Sequence, residues 1–208
     1  MARPPRPSPL YFLIGLTSWP LLHSVFRFRA YGTEHLPTEG GYVLAAGHHS
    51  NLDPWAIGLP LWPRRFLRFM AKSELFWFPL GPLIRACGAF KVRRGKADQA
   101  AIQTAVNLAR SGNVIAMFPE GTRRKKGLMK TRQPQSHTGA ARIALEAGVP
   151  LVPAGIRGTD ELARLGAWRV RYGPPVQLDD LSELEPAEAA RVATERVMAA
   201  IRELEESL

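Results

Sequence analysis

The chain has 208 residues, a length typical of one domain with its own hydrophobic core. Its net charge of +10 favours anionic partners, such as nucleic acid, an anionic membrane or a phosphorylated substrate. Its hydrophobic content of 46% argues against a disordered chain. The one cysteine, Cys87, excludes an internal disulfide and a cysteine-based zinc site, and favours a small buried side chain over a reactive thiol.

Residues 1–24 are predicted to form a mobile arm followed by a helix that lies in a membrane interface. The arm is rich in proline and arginine, and the apolar run of residues 10–16 is far shorter than the roughly 20 residues that span a bilayer. An interfacial helix would present aromatic anchors to the bilayer and arginines to lipid headgroups. These anchors are Tyr11, Phe12, Trp19 and Phe26, and these arginines are Arg3, Arg6, Arg27 and Arg29. The alternative is a helix packed on its own domain.

Residues 25–208 are predicted to form one domain in which strands and helices alternate. Strands are expected at residues 40–47, 65–75, 89–92, 113–118 and 149–158, and a sheet-edge strand at 168–176. Helices are expected from Asp53, as N-cap before Pro54, and at residues 97–112, 138–148 and 182–206, the last with a capping box from Ser182 to Glu185. This alternation predicts an α/β fold with a largely parallel central sheet flanked by helices.

Three polar clusters directly follow predicted strands. They are GHHSNLD at residues 47–53, KVRRG at residues 91–95 and PEGTRR at residues 119–124. Ligands of parallel sheets bind at the carboxyl ends of the strands. We therefore expect the three clusters to converge on one surface.

His48 and Asp53 are a candidate catalytic pair. A tight turn would bring the carboxylate to one imidazole nitrogen, which fixes the tautomer and leaves the other nitrogen as a base for a hydroxyl proton. Ser50 is not predicted to be a nucleophile, because it lacks a Gly-x-Ser-x-Gly elbow. Two alternatives stay open. One is a metal site that includes His49, which adjacent histidines disfavour because they point apart, and the other is a plain N-cap beside a loop histidine.

The runs FPEGTRR and KVRRG predict a surface that binds phosphate. The glycine lets the backbone approach a ligand closely, Glu120 can accept hydrogen bonds from hydroxyls, and the Arg123 fork matches a phosphate. Lys91, Arg93 and Arg94 add positive charge. A base beside a phosphate cradle predicts a phosphorylated alcohol as substrate, although either run alone fits a solvated basic face.

Four motifs, in this order, resemble the glycerolipid acyltransferase family, whose members acylate glycerol phosphates. His48 and Asp53 match the family's His-x4-Asp motif, and GAFKVRR resembles its second motif, with Arg94 at the arginine position. Phe-Pro-Glu-Gly-Thr-Arg is intact at residues 118–123, and VPLVPAG at residues 149–155 resembles the fourth motif.

This resemblance, which runs from about residue 25 to residue 177, implies a reaction and a set of site residues. His48 is implied to deprotonate the hydroxyl of 1-acylglycerol 3-phosphate, with Asp53 orienting His48. The alkoxide then attacks the thioester of an acyl-CoA or acyl carrier protein, giving phosphatidic acid. The implied substrate-binding residues are Arg94, Glu120, Gly121, Thr122 and Arg123. The acyl thioester is a co-substrate, and neither a cofactor nor a metal is implied.

The family's bacterial members sit on the membrane through N-terminal helices. The resemblance therefore implies a peripheral protein on the cytoplasmic face of a bacterial cell membrane, with membrane lipids and lysophosphatidic acid as partners. His137 stands where the family often has lysine, which leaves open another acceptor, such as glycerol 3-phosphate, a different lysophospholipid or a glycolipid. A non-catalytic protein that binds membrane or nucleic acid would leave His48, Asp53 and Glu120 unexplained, and its basic runs lack interleaved aromatic residues.

The aromatic stretch ELFWFPLGP at residues 74–82 fits three interpretations. It could line an acyl-chain tunnel, contact the membrane or belong to the ordinary core, and its composition favours the last two.

Overall fold

A seven-stranded sheet forms the centre of the protein, seen in a computed structural model that describes residues 7–92, 98–120 and 137–208. Its strands are β1 (Arg29–Tyr31), β2 (Tyr42–Ala46), β3 (Leu67–Lys72), β4 (Ala89–Val92), β5 (Val114–Met117), β6 (Leu151–Arg157) and β7 (Arg169–Tyr172). Within the described ranges the strand order is β1-β7-β6-β2-β5-β3-β4. Five of the six pairings are parallel, and only β6 and β7 pair antiparallel. The predicted α/β fold with a largely parallel sheet is confirmed.

Helices cover both faces of this sheet. Those in the described part of the chain are α1 (Pro9–Val25), α2 (Asp53–Gly58), α3 (Leu80–Ala86), α4 (Gln99–Arg110), α5 (Gly139–Ala147) and α6 (Pro186–Glu206). Side chains of α4, α5 and α6 share one hydrophobic cluster, while those of α1 and α2 belong to another. Strand β2 serves both clusters, with Leu44 in one and Val43 in the other, because successive side chains of a strand point to opposite faces. The domain therefore has three layers.

Two predictions about single elements are wrong, namely the edge position of β7 and the capping box of α6. Strand β7 is not an edge strand, because β1 pairs along its outer side, and β1 has only three residues in a basic segment without an apolar pattern. The capping box is absent, since α6 begins at Pro186 without a side-chain cap. The hydroxyl of Ser182 instead donates to the carbonyl of Asp179 at 3.0 Å, within the 3-10 turn that precedes the helix.

Helix α1 packs one stripe of its surface onto the domain. Gly15, Ser18 and Leu22 are buried, and Gly15 lies so close to the Trp62 indole that a Cβ would not fit. The rest of the helix surface leaves large apolar side chains exposed. They are Leu10, Phe12, Leu13, Leu16, Trp19, Leu21 and Val25, and they are called the outer stripe of α1 below. Within the described ranges, no helix has the length and apolar character needed to cross a bilayer.

Two of the four predicted membrane anchors face the protein instead. Phe26 is only 7% exposed and stacks on Trp168 with 4.5 Å between ring centroids, so its assignment as an anchor is wrong. The hydroxyl of Tyr11 donates to the carbonyl of Arg65 at 3.1 Å, which turns this ring inward as well. Phe12 and Trp19 remain exposed, and the boundary between residues 1–24 and 25–208 stays a prediction.

The contact between α6 and β6 predicts the effect of one small substitution. A Cβ on Gly155 would lie 2.8 Å from the backbone nitrogen of Glu205 and 2.8 Å from the carbonyl carbon of Leu204. Overpacking of this kind costs about 1–3 kcal/mol. Gly155→Ala should lower the free energy of unfolding by that amount in urea denaturation. Gly139→Ala is the control, because its nearest neighbour is the Met117 methyl at 3.4 Å, and an equal loss in both variants would contradict the prediction.

Candidate active site

The strand order brings three loops together around the carboxyl end of β2. Strand β2 lies between β5 and β6, and all three strands run in the same direction. The loop with His48 and His49 follows β2, the Phe118–Glu120 segment follows β5, and Thr159 follows β6 after a glycine. The parallel sheet therefore places residues that are remote in sequence side by side.

The carboxylate of Asp53 is fully buried and is held by four donors. Its Oδ2 accepts from His48 Nδ1 at 2.9 Å and from the backbone N–H groups of His49 and Ser50 at 2.7 and 2.8 Å. Its Oδ1 accepts from the Thr159 hydroxyl at 2.6 Å. A carboxylate without water is costly unless donors replace its hydration, and these four supply that replacement.

The predicted helix start at Asp53 is confirmed, but its role as N-cap is wrong. Helix α2 includes Asp53, and Leu52 occupies the N-cap without a side-chain hydrogen bond. The carboxylate is turned back toward the amides of the preceding loop, so it is not available to the amides of the first helical turn. Asp53 thus organises the loop that carries His48 instead of capping the helix.

The imidazole of His48 is held in one orientation. Its ring stacks on Phe118, with 4.4 Å between centroids and 25° between planes, and the residue is 8% exposed. Because Nδ1 donates to Asp53, the tautomer leaves Nε2 as the proton acceptor. His48 also lines a large cavity, so its imidazole stands where a ligand can reach it.

The same geometry weighs against the metal alternative. That alternative needed His49 beside His48 and Asp53, but the Nε2 of His49 lies 2.9 Å from Glu205 Oε1. Within the described ranges, no three His, Cys, Asp or Glu side chains come together as a set of metal ligands.

The cavity beside His48 is apolar and has a volume of about 980 Å³. It lies between α1, α2, β3 and α3, and its polar lining residues include Asn51 and Lys72. The large apolar lining residues are Tyr11, Ile14, Leu52, Pro54, Trp55, Leu59, Trp62, Leu67, Phe69, Met70, Leu75, Leu80, Leu83, Ile84 and Phe118. This volume is at the upper end of the roughly 300–1,000 Å³ typical of small-molecule sites.

Two titratable groups on the cavity wall stay uncharged near neutral pH. Burial raises the pKa of Tyr11 to about 12. Burial also raises the pKa of the half-buried Cys87 thiol, which argues against a reactive thiolate there. The wall therefore suits an apolar ligand.

Of the five predicted substrate-binding residues, only Glu120 lies within the described ranges. Glu120 is 1% exposed directly after β5. The backbone N–H of His137 donates to the carbonyl of Pro119 at 2.7 Å, so this residue lies at the same end of the sheet. Arg94, Gly121, Thr122 and Arg123 lie outside the described residues, and their roles stay predictions.

Two contacts of the loop after β2 were missed from the sequence. Thr159 bonds Asp53, and its position after β6 was the available signal. His49 bonds Glu205 in the last turn of α6, 156 residues away, and no local pattern links these two positions. Gly47 leaves room for this contact, since a Cβ there would collide with Glu205 Oε1.

Known proteins resemble this chain in sequence and in fold. A sequence model of the Acyltransferase family matches residues 27–157. A 1-acyl-sn-glycerol-3-phosphate acyltransferase of Bacillus subtilis (strain 168) is 31% identical over 186 residues, which cover 86% of this chain and 89% of that protein. The protein of the same name from Streptococcus pneumoniae is 29% identical, covering 85% of this chain and 65% of its own length.

A solved structure agrees with these sequence matches. The crystal structure of the 1-acyl-sn-glycerophosphate acyltransferase PlsC from Thermotoga maritima superposes with a TM-score of 0.67 at 25% identity, covering 94% of this chain and 78% of that one. The fold and the site define an α/β protein with a buried His–Asp pair beside an apolar chamber. The chain belongs to the acyltransferase family.

The hydrogen bond from Thr159 to Asp53 predicts a stability difference between two buried threonines. Thr159→Val would leave Asp53 Oδ1 without this donor, at a cost of about 1–3 kcal/mol in urea denaturation. Thr194→Val is the control, because its hydroxyl donates at 2.6 Å to the helical carbonyl of Ala190 and should cost less than about 1 kcal/mol. An equal loss of unfolding free energy in the two variants would contradict the prediction that the Asp53 contact contributes more to stability.

Proposed function

We propose that this protein transfers a fatty acyl chain from an acyl thioester to the free hydroxyl of 1-acylglycerol 3-phosphate, giving phosphatidic acid. The observation that carries this proposal is the His48–Asp53 pair on the wall of an apolar cavity of about 980 Å³. A base and an apolar chamber match the two needs of the reaction, a hydroxyl to deprotonate and an acyl chain to hold. The names of the relatives support this acceptor.

In the proposed reaction His48 is the general base. Its Nε2 takes the proton of the acceptor hydroxyl as the oxygen attacks the thioester carbonyl, an effect worth roughly 10²- to 10⁴-fold in rate. The carboxylate of Asp53 holds Nδ1–H at 2.9 Å and stabilises the imidazolium that forms. When the tetrahedral intermediate collapses, the carbon–sulfur bond breaks and the imidazolium returns its proton to the leaving thiolate. The products are the new ester and a free thiol.

The cavity is proposed to bind the acyl chain of the donor. Trp55 and Phe69 contribute aromatic wall to it, whereas Trp77 and Phe78 are exposed on the outside. An acyl chain makes no hydrogen bonds, so a wall made mostly of apolar side chains can hold it without losing polar interactions. The thioester is either acyl-CoA or acyl carrier protein, a co-substrate, and no further cofactor belongs to the proposal.

The acceptor phosphate is proposed to bind at the neighbouring strand ends. The buried Glu120 follows β5, which pairs directly with β2, so the Phe-Pro-Glu-Gly-Thr-Arg motif starts beside the His48 loop. The proposed binding residues are Arg94, Glu120, Gly121, Thr122 and Arg123. Arginine forks match the oxygen geometry of a phosphate, and the glycine allows close backbone approach.

The protein is proposed to work as a peripheral protein on the cytoplasmic face of a bacterial cell membrane. The outer stripe of α1 supports this location, since Leu16 is 62% exposed and Trp19 44%. An exposed apolar stripe on a helix whose other stripe is packed needs an apolar partner, and membrane interfaces bind such helices. The lipid acceptor, 1-acylglycerol 3-phosphate, would reside in that partner.

Acyl transfer from a long-chain acyl-CoA to lysophosphatidic acid in lipid vesicles tests the reaction and the base together. His48→Ala and Asp53→Asn should each lower acceptor-dependent thiol release by about 10²- to 10⁴-fold. The first variant removes the base, and the second replaces the charge that orients it and stabilises the imidazolium. His35→Ala, at an exposed histidine, is the matched control and should keep wild-type activity.

Two further assays test the acceptor and the donor of the proposed reaction separately. Monoacylglycerol, which lacks the phosphate, should be a poor acceptor if the phosphate is recognised, and glycerol 3-phosphate should be poor if the acyl chain is. Acyl carrier protein replaces acyl-CoA in a parallel assay of the donor. Thiol release that is equal in wild type and His48→Ala would show that His48 is not the base.

The contact between His49 and Glu205 predicts that the end of α6 affects turnover. Glu205→Ala removes the hydrogen-bond partner of the His49 side chain, and the backbone N–H of His49 donates to Asp53. The loop should therefore lose its fixed geometry, and kcat should fall about tenfold. Substrate KM should change little, because Glu205 is proposed to act through the loop. Glu206→Ala, an exposed neighbour, is the control, and equal kcat values for the two variants would contradict this role.

A further inference from the structure

The segment from residue 75 to residue 83, called the rim segment here, exposes large apolar side chains. It connects β3 to the first turn of α3, and its exposed members are Leu75, Trp77, Phe78 and Leu83. Phe78 is 83% exposed and Trp77 58%. Single exposed apolar residues are ordinary on protein surfaces, but four within nine residues form a patch, and such patches mark binding surfaces.

The rim segment is continuous with the cavity that contains His48. Leu75 and Leu83 are exposed on the surface and also line the cavity, and the half-buried Tyr11 and Ile14 of α1 line the same cavity. The apolar lining therefore runs outward onto the surface at this point. Of the fifteen exposed large hydrophobic residues in the described ranges, eleven belong to the outer stripe of α1 or to the rim segment. The exposed apolar surface is thus concentrated on two segments that border one cavity.

Two cationic side chains contact an aromatic ring of the rim segment. The guanidinium carbon of Arg85 and the Nζ of Lys91 each lie 5.4 Å from the ring centroid of Phe76, and both side chains are exposed. Aromatic and aliphatic tips with cations behind them are the pattern of proteins that insert side chains below anionic headgroups. Glu74 is the acidic residue beside the segment, and the chain's net charge is +10.

We propose that the rim segment is a second contact with an anionic lipid bilayer, in addition to α1, and this rests on the proposed function. Trp77 and Phe78 insert into the interface, while Arg85 and Lys91 face the headgroups. The two contacts border the same cavity, so apolar surface is continuous from the bilayer to the cavity that is proposed to bind the acyl chain. Of the three interpretations of ELFWFPLGP, the exposed aromatic pair favours the membrane contact, and the leucines supply part of the cavity wall.

Vesicle binding of paired variants tests this contact without requiring activity. Trp77→Ser/Phe78→Ser should lower the partition coefficient about tenfold on vesicles of phosphatidylglycerol and phosphatidylcholine in equal parts. The matched control is Leu162→Ser/Leu165→Ser, at two leucines that are 47% and 54% exposed at the start and directly after the end of the 3-10 turn that follows β6, and that do not line the cavity. Thermal unfolding of both pairs checks that they fold.

Binding of Trp77→Ser/Phe78→Ser equal to wild type would overturn the proposal, and so would an equal loss in the control pair. Sedimentation velocity in lipid-free buffer adds a second criterion. If wild type self-associates and Trp77→Ser/Phe78→Ser does not, the patch serves a second copy of this chain and the bilayer contact is wrong.

Activity assays separate this inference from the proposed function. With a short-chain, water-soluble donor and acceptor, Trp77→Ser/Phe78→Ser should keep wild-type kcat, because neither residue lines the cavity. With lysophosphatidic acid in vesicles its rate should fall in parallel with binding, and a vesicle rate equal to wild type would contradict the proposal. Absence of acyl transfer by wild type in both formats would overturn the proposed function, while the vesicle-binding comparison would still decide the bilayer contact.

Discussion

Asp53 carries a carboxylate into a place that solvent does not reach, and a buried carboxylate is tolerated only where donors replace its lost hydration. Two donors are amides of the loop after β2, one is the His48 imidazole and one is the Thr159 hydroxyl. Satisfying this one group therefore fixes the loop, the start of α2 and the turn after β6 relative to one another. One of the bonds that satisfy the carboxylate also orients the proposed base His48, so stability and the proposed chemistry depend on the same contact.

The two faces of the sheet are covered differently, and the difference suits a lipid substrate. On one face, α4, α5 and α6 form a continuous buried cluster with the strands. On the other, α1, α2 and α3 surround an apolar cavity of about 980 Å³ that reaches His48. Helix α1 has apolar side chains on both of its stripes, and only one stripe packs on the domain. Apolar surface thus continues from the cavity to the outside of the protein.

The C-terminal helix links the packed side of the sheet to the candidate active site. Gly155 lets the end of α6 lie directly against the backbone of β6, and Gly47 leaves room for the Glu205 carboxylate beside the loop after β2. Glu205 then reaches His49, whose backbone N–H is one of the donors to Asp53. The position of one loop of six residues thus depends on a helix from the other end of the chain.

The sequence was enough to predict β2 to β7, every described helix except α3, and the His48–Asp53 pair, because hydrophobic patterning and a five-residue separation are local properties. It did not determine that β1 covers the outer side of β7, since three residues carry no pattern. Thr159 and Glu205 lie 106 and 156 residues from their partners, Asp53 and His49. These contacts follow from the folded chain alone, because the order and direction of parallel strands, which bring remote loops to one edge of the sheet, arise from packing of the whole chain.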